Sequence, residues 1–90
     1  MGGSSYDGLG AAFGIALRRL RKEAGLTQEE LGLAAGVQRN FISLIETGQN
    51  QPTITTISKL AVTLELRPSS LVAEAEKELR QAPLVKRRRR

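Results

Sequence analysis

Glycines at 25, 36 and 48 and a proline at 68 cut this chain into short pieces. Gly and Pro are the strongest local punctuators of regular structure, so no long helix or strand can run through them. The pieces themselves carry helical spacing. Thr27 and Glu30 form a T-x-x-E capping box just after Gly25, which starts a helix over Gln28 to Ala35 that Gly36 stops. Val37 turns the chain, and a further helix is predicted from about Gln38 to Glu46, ended by Gly48. Upstream, Phe13, Leu17, Leu20 and Ala24 fall at i, i+4, i+7 and i+11, one stripe of a helix over Leu9 to Ala24. Asp7 is placed to cap it, and Gly25 follows as a C′ glycine. Downstream, Thr53 or Thr55 caps a fourth helix with the stripe Ile57, Leu60, Ala61 and Leu64. A fifth runs roughly from Ser69 to Arg80, with Leu71, Val72, Ala75 and Leu79 apolar and Pro68 suited to a first helical position. The sequence carries no strand signal and no internal repeat. The expected fold is all-α, a compact bundle of five short helices.

Ninety residues make one small domain with a modest core. The expected organisation is a disordered Gly-rich lead over 1–8, the helical domain over 9–80, and a basic disordered tail over 81–90. The chain has no Cys and no His, which removes thiolate and imidazole metal ligands and the commonest catalytic base. An enzyme is not expected, nor a metal, nor a cofactor. No apolar run reaches the roughly 20 residues of a membrane helix and no signal pattern opens the chain, so a cytoplasmic protein without a membrane partner is expected. The net charge is +5, and Lys86 to Arg90 supply all of it; residues 1–85 hold nine basic and nine acidic side chains. An anionic partner must therefore be recognised by placed residues or by the tail.

The placed residues are in the middle of the chain. Two short helices joined by a Gly-containing turn form a helix-turn-helix, whose second helix can enter a DNA major groove. The same spacing also describes a packed αα-corner. On the second helix of the pair, Ile42 and Ile45 share one side with Val37, while Asn40, Ser43 and Leu44 point the other way. Arg39 stands on the flank of its first turn. Arg can bind guanine bidentately and Asn adenine, so this face has the chemistry for reading base edges.

The run "ALRRLRKEAGLTQEELGLAAGVQRNFISLIETGQNQPTITTISKLAVTLELRPSSL" resembles the lambda-repressor-like family of phage repressor and Cro helix-turn-helix domains, also called the xenobiotic-response-element family. The likeness covers about residues 12–73 and rests on Gly25 to Leu31, Gly36-Val37, Ile42-Ser43, Ile45-Glu46, Gly48, Pro52 and Leu60-Ala61…Leu64. It implies that the motif spans 27–46 and that Gln38, Arg39, Asn40, Ser43 and Leu44 read bases. It further implies that Thr27 and Gln28, at a helix N-terminus, meet a backbone phosphate, as do Gln49 and Asn50 in the loop. Arg21 and Glu46 fall where family members join the first helix to the recognition helix by an ion pair. Three departures stand out. Gly32 replaces the usual Ala, at about 1 kcal/mol in a helix interior. Leu33 and Leu44 occupy positions that are usually polar, and Leu44 is suited to a thymine methyl. The loop "GQNQP" has no Lys or Arg, which weakens phosphate binding there.

The resemblance implies a sequence-specific transcriptional regulator, a small stand-alone repressor or controller that binds double-stranded DNA. Val72, Ala75 and Leu79 repeat at i, i+3 and i+7, which serves either a longer amphipathic helix over the core or a two-fold homodimer contact. The dimer is the preferred expectation, because regulators of this size read inverted repeats in pairs. No small-molecule effector is expected. A protein-interaction module, such as the antitoxin half of a toxin–antitoxin pair, is the alternative.

Overall fold

The computed structural model describes residues 8–81 of the chain. Five helices follow in order: α1 Leu9–Glu23, α2 Gln28–Ala35, α3 Arg39–Glu46, α4 Ile54–Thr63 and α5 Pro68–Arg80. Their starts follow from local chemistry. Thr27 Oγ1 accepts from the Glu30 N–H at 3.0 Å while Glu30 Oε1 accepts from the Thr27 N–H at 2.9 Å, the reciprocal box that opens α2. Of the two threonines in question, Thr53 caps α4, its Oγ1 accepting from the Thr56 N–H at 3.1 Å. Pro68 is itself the first residue of α5, where its missing N–H costs nothing.

Two expected boundaries move by one residue. Gln38 is extended and caps α3 rather than lying within it, and α5 begins at Pro68 rather than Ser69. The cap of α1 is Gly8; Asp7, the lead before it and the basic tail after Gln81 lie outside the described residues.

α1 packs on α5 and α3, α2 on α3 and α4, and α4 on α5. The enclosed core contains Leu17, Leu31, Ile42, Ile45, Leu60 and Leu71, all fully buried, with Phe13, Ala61 and Ala75. Burying a Leu or Ile side chain stabilises by roughly 1.5–3 kcal/mol, so these six side chains dominate the packing. Two expectations are corrected here. Ala24, assigned to the apolar stripe of the first helix, caps the C-terminus of α1 and is exposed; the inner side of α1 uses Ala12, Ala16 and Arg21 instead. Ala75, assigned to an outward dimer stripe, is 0% exposed within the subunit. α5 turns Ala75 inward together with Leu71, which fits the tight packing of α5 on α1 and α4. Val72 and Leu79 are half-buried.

Between α1 and α5, Arg19 Nη2 donates to Glu74 Oε1 at 2.8 Å and Arg19 Nε to Glu78 Oε2 at 3.3 Å. The hydrogen bond from Arg19 holds the Glu74 carboxyl below its ordinary range, and Lys77 adds to the effect. A carboxyl whose folded pKa is lowered stabilises the fold above its unfolded pKa of about 4.3, and that contribution is lost as pH falls through the folded value. Acid unfolding below about pH 4.3 should therefore be shallower in Glu74→Gln than in the parent. Superimposable acid-titration curves for the two proteins would remove Glu74 from the pH response.

Candidate nucleic-acid interface

The helix-turn-helix consists of α2, residues 36–38, and α3. Gly36 takes a left-handed conformation, φ 73°, which a residue without Cβ adopts at little cost. The N–H groups of Gly36 and Val37 both close onto Gly32 O, the second at 2.9 Å. Gly32 is buried, and a Cβ there would stand 2.5 Å from Val37 O. The departure from Ala at this position has a structural reason: the turn backbone lies against α2 where a methyl group would be. The expected helix-propensity cost of about 1 kcal/mol is thus set against a closer turn.

Gln38, the cap, and Arg39 and Asn40 at the start of α3 face solvent, with Ser43 and Leu44 half-buried behind them. Ile42 and Ile45 anchor the opposite side in the core. Leu33, on α2, is 79% exposed.

The far end of α3 is held by charge. Arg21 is 7% and Glu46 8% exposed. Arg21 Nε donates to Glu46 Oε2 at 2.6 Å and Nη2 to Oε1 at 3.0 Å, a bidentate pair. A third guanidinium N–H reaches Leu26 O at 2.8 Å, in the connection between α1 and α2. The hydrogen bond to Glu46 raises the Arg21 pKa further above its already high ordinary value, so the guanidinium stays charged. Gln28 completes the set, donating Nε2–H to Glu46 Oε1 at 3.0 Å. One buried carboxylate therefore ties α1, the start of α2 and the end of α3 together. Among the described residues no buried side-chain polar atom lacks a partner.

The phosphate-contact candidates differ in what they have left to offer. The Thr27 N–H and Thr27 Oγ1 are both used by the capping box, and Glu29 and Glu30 place acid in the first turn of α2. The two N–H groups of the Gln28 amide divide: one goes to Glu46, and the other has no partner among the described residues. The backbone N–H groups of Gln49 and Asn50 close the end of α3 onto Leu44 O at 2.9 and 3.2 Å. The Gln49 side chain donates to Thr47 Oγ1 at 2.9 Å, whereas the Asn50 side chain makes no hydrogen bond among the described residues. Two open grooves flank α3. One, about 540 Å³, has Lys22, Thr27, Gln28, the acidic Glu29 and Arg39 among its lining residues; the other, about 400 Å³, has Gln38, Asn40, Leu44 and Lys59 among its own. Sequence reasoning did not single out Lys22 or Lys59. The available signal for Lys59 was its standing as the one charged residue of the fourth helix.

Known proteins share this fold. The helix-turn-helix family matches residues 17–71. An uncharacterised helix-turn-helix-type transcriptional regulator of Sinorhizobium fredii is 38% identical over 58 residues, 64% of this chain and 75% of the relative. A 10 kDa protein of the immF control region of Bacillus phage phi105 is 35% identical over 57 residues, 63% of each chain. Among solved structures, the restriction-modification controller protein C.AhdI from Aeromonas hydrophila superposes with a TM-score of 0.68 at 38% identity, over 73% of this chain and 98% of that one. The match to the family covers more than half of the sequence and spans the capping box, the Gly36 turn and the Arg21–Glu46 pair. The chain belongs to the lambda-repressor-like helix-turn-helix family of DNA-binding transcriptional regulators.

Proposed function

We propose that the protein reads an inverted-repeat operator in double-stranded DNA as a homodimer, each subunit placing α3 in a major groove, and that it does so without catalysis or a small-molecule effector. The observation that carries this is the division of α3 into a core-anchored side and an exposed first turn bearing Arg39 and Asn40. Arg39 pairs with a guanine edge and Asn40 with an adenine; Leu44, half-buried one turn on, meets a thymine methyl. Gln28 gives its second amide N–H to a phosphate while Glu46 holds the first.

Arg39→Ala should weaken binding to a duplex selected from random sequence by about 2 kcal/mol and relax the preference at one base pair. Gln28→Ala should weaken all sequences alike, because phosphates carry no sequence. Equal losses on selected and scrambled duplexes for Arg39→Ala would remove it as a base reader.

Pairing of subunits sets the two reading helices about one DNA turn, roughly 34 Å, apart. With Ala75 used inside the subunit, the apolar surface open to a second copy includes Ile54 and Val62 of α4, 80% and 70% exposed. Sedimentation at rising concentration should show a weak monomer–dimer equilibrium that Val62→Glu shifts towards monomer. A single monomeric species at every concentration, with operator affinity unchanged by Val62→Glu, would end the dimer proposal.

A further inference from the structure

We propose that Lys59 is a phosphate contact on the flank of the recognition helix opposite Arg39, so that one cation stands on each side of α3. The inference rests on the reading of α3 as the groove-entering helix and adds a residue to it.

Between Thr27 and Leu66, the whole segment that carries the helix-turn-helix and α4, the only basic residues are Arg39 and Lys59, against Glu29, Glu30, Glu46 and Glu65. A DNA-binding surface with so little positive charge depends heavily on where that charge is placed. Arg39 lines the groove on the α2 side, with Lys22 and Gln28. Lys59 lines the groove on the α4 side, about 400 Å³, sharing it with Gln38, Asn40 and Leu44. Gly36, Val37, Phe41 and Thr56 complete the walls of that second groove. The ammonium therefore borders the same space as three of the side chains directed at base edges. A major groove is bounded by two sugar-phosphate strands, so a helix lying in it has a strand on either flank. The groove towards α2 would receive one strand and the groove towards α4 the other.

Two further facts fit this placement. The connection from α3 to α4, residues 47–53, contains no Lys or Arg, and its Gln49 and Asn50 backbone N–H groups are spent on Leu44 O. The strand on that side has no other cation of this segment to meet. Lys59 is exposed and forms no ion pair within 4.0 Å among the described residues, whereas Arg19, Arg21 and Lys77 are all engaged with carboxylates. Its charge is uncommitted.

The test is the salt dependence of binding of the full chain to a duplex recovered by selection from random sequence, with a scrambled duplex beside it. Each phosphate neutralised contributes about −0.9 to the slope of log affinity against log salt. Lys59→Gln should make that slope shallower by about one, so that the affinity lost relative to the parent falls about 3.5-fold between roughly 50 and 200 mM salt. Base preference should be retained. Arg80→Gln removes the same charge from α5, which packs on α1 and α4, and should leave the slope unchanged. An equal change in both variants would overturn the proposal in favour of net charge alone. An unchanged slope in Lys59→Gln, while Arg39→Ala still loses selectivity, would overturn it and leave the reading of α3 intact. A shift in base preference in Lys59→Gln would also overturn it, by making Lys59 a base reader. Loss of the Arg39→Ala effect itself would fail the underlying reading and the proposal together.

Discussion

Glu46→Ala should destabilise the fold by about 3–5 kcal/mol, the range for breaking a buried ion pair by removing one partner. The carboxylate accepts three hydrogen bonds, two from Arg21 and one from Gln28. Without it, the guanidinium of Arg21, a residue only 7% exposed, keeps its bond to Leu26 O, while two of its five N–H groups lose their acceptor where little water reaches them. Against a total stability of about 5–15 kcal/mol for a domain, that is a large fraction. For a chain of this size each kcal/mol moves the melting temperature by about 4–8 °C, so a fall on the order of 20 °C is expected. The pair itself is not the source of net stability, since desolvating two charges offsets much of their attraction. Arg21→Met combined with Glu46→Leu should therefore recover most of the loss. What the double variant should not recover is DNA affinity, because Gln28 loses the acceptor that orients its amide at the start of α2. A Glu46→Ala protein melting within a few degrees of the parent would show that the site relaxes or admits water, and that the pair holds nothing.

The sequence was most legible where the signal is local. The capping box at Thr27 and Glu30, the stop at Gly36, the proline opening α5 and the inward Ile42 and Ile45 are all properties of a few neighbouring residues, and five helices follow from them. The candidate reading face was legible for the same reason: once Ile42 and Ile45 face the core, the 3.6-residue period leaves Asn40, Ser43 and Leu44 elsewhere. Position in space was harder. Periodicity marks Val72, Ala75 and Leu79 as one apolar face without saying whether that face meets the same subunit or another, and Ala75 turned out to be internal. Ala24 continued the stripe of α1 in spacing, yet the helix ends one residue before it. Lys59 is unremarkable in sequence because its neighbours across the groove, Asn40 and Leu44, are at least 15 positions away. Gln28 shows the intermediate case. Its place at a helix start implied a phosphate contact, but nothing local revealed that Glu46 already takes one of its two N–H groups.

Gly14→Ala should cost about 3 kcal/mol, the upper end of the usual range for adding a methyl group to a packed site. Gly14 is buried on the side of α1 that faces α3. A Cβ built on it would fall far inside contact distance of Ile45 O and stand 3.0 Å from Glu46 O. Both obstacles are backbone carbonyls at the end of the recognition helix, and a backbone cannot rotate away as a side chain does. Ile45 O also accepts the Gly48 N–H at 3.0 Å, so moving it disturbs the cap of α3 as well. Ala is otherwise better than Gly in a helix by roughly 1 kcal/mol, and the clash must exceed that gain for the prediction to hold. Relief requires α1 and α3 to separate. Gly14, Leu17 and Arg21 recur at i, i+3 and i+7 on α1, so a separation at Gly14 also stretches the Arg21–Glu46 pair two turns along. The variant should therefore lose DNA affinity beyond what the unfolded fraction explains, through a displaced α3. Gly10→Ala is the matched control: the three atoms nearest its Cβ all belong to the Gln51 side chain, which can swing aside, and the helix-propensity gain should remain. Thermal unfolding of the two variants decides the matter, and a Gly14→Ala protein as stable as Gly10→Ala would mean that α1 and α3 do not approach each other as closely as Gly14 allows.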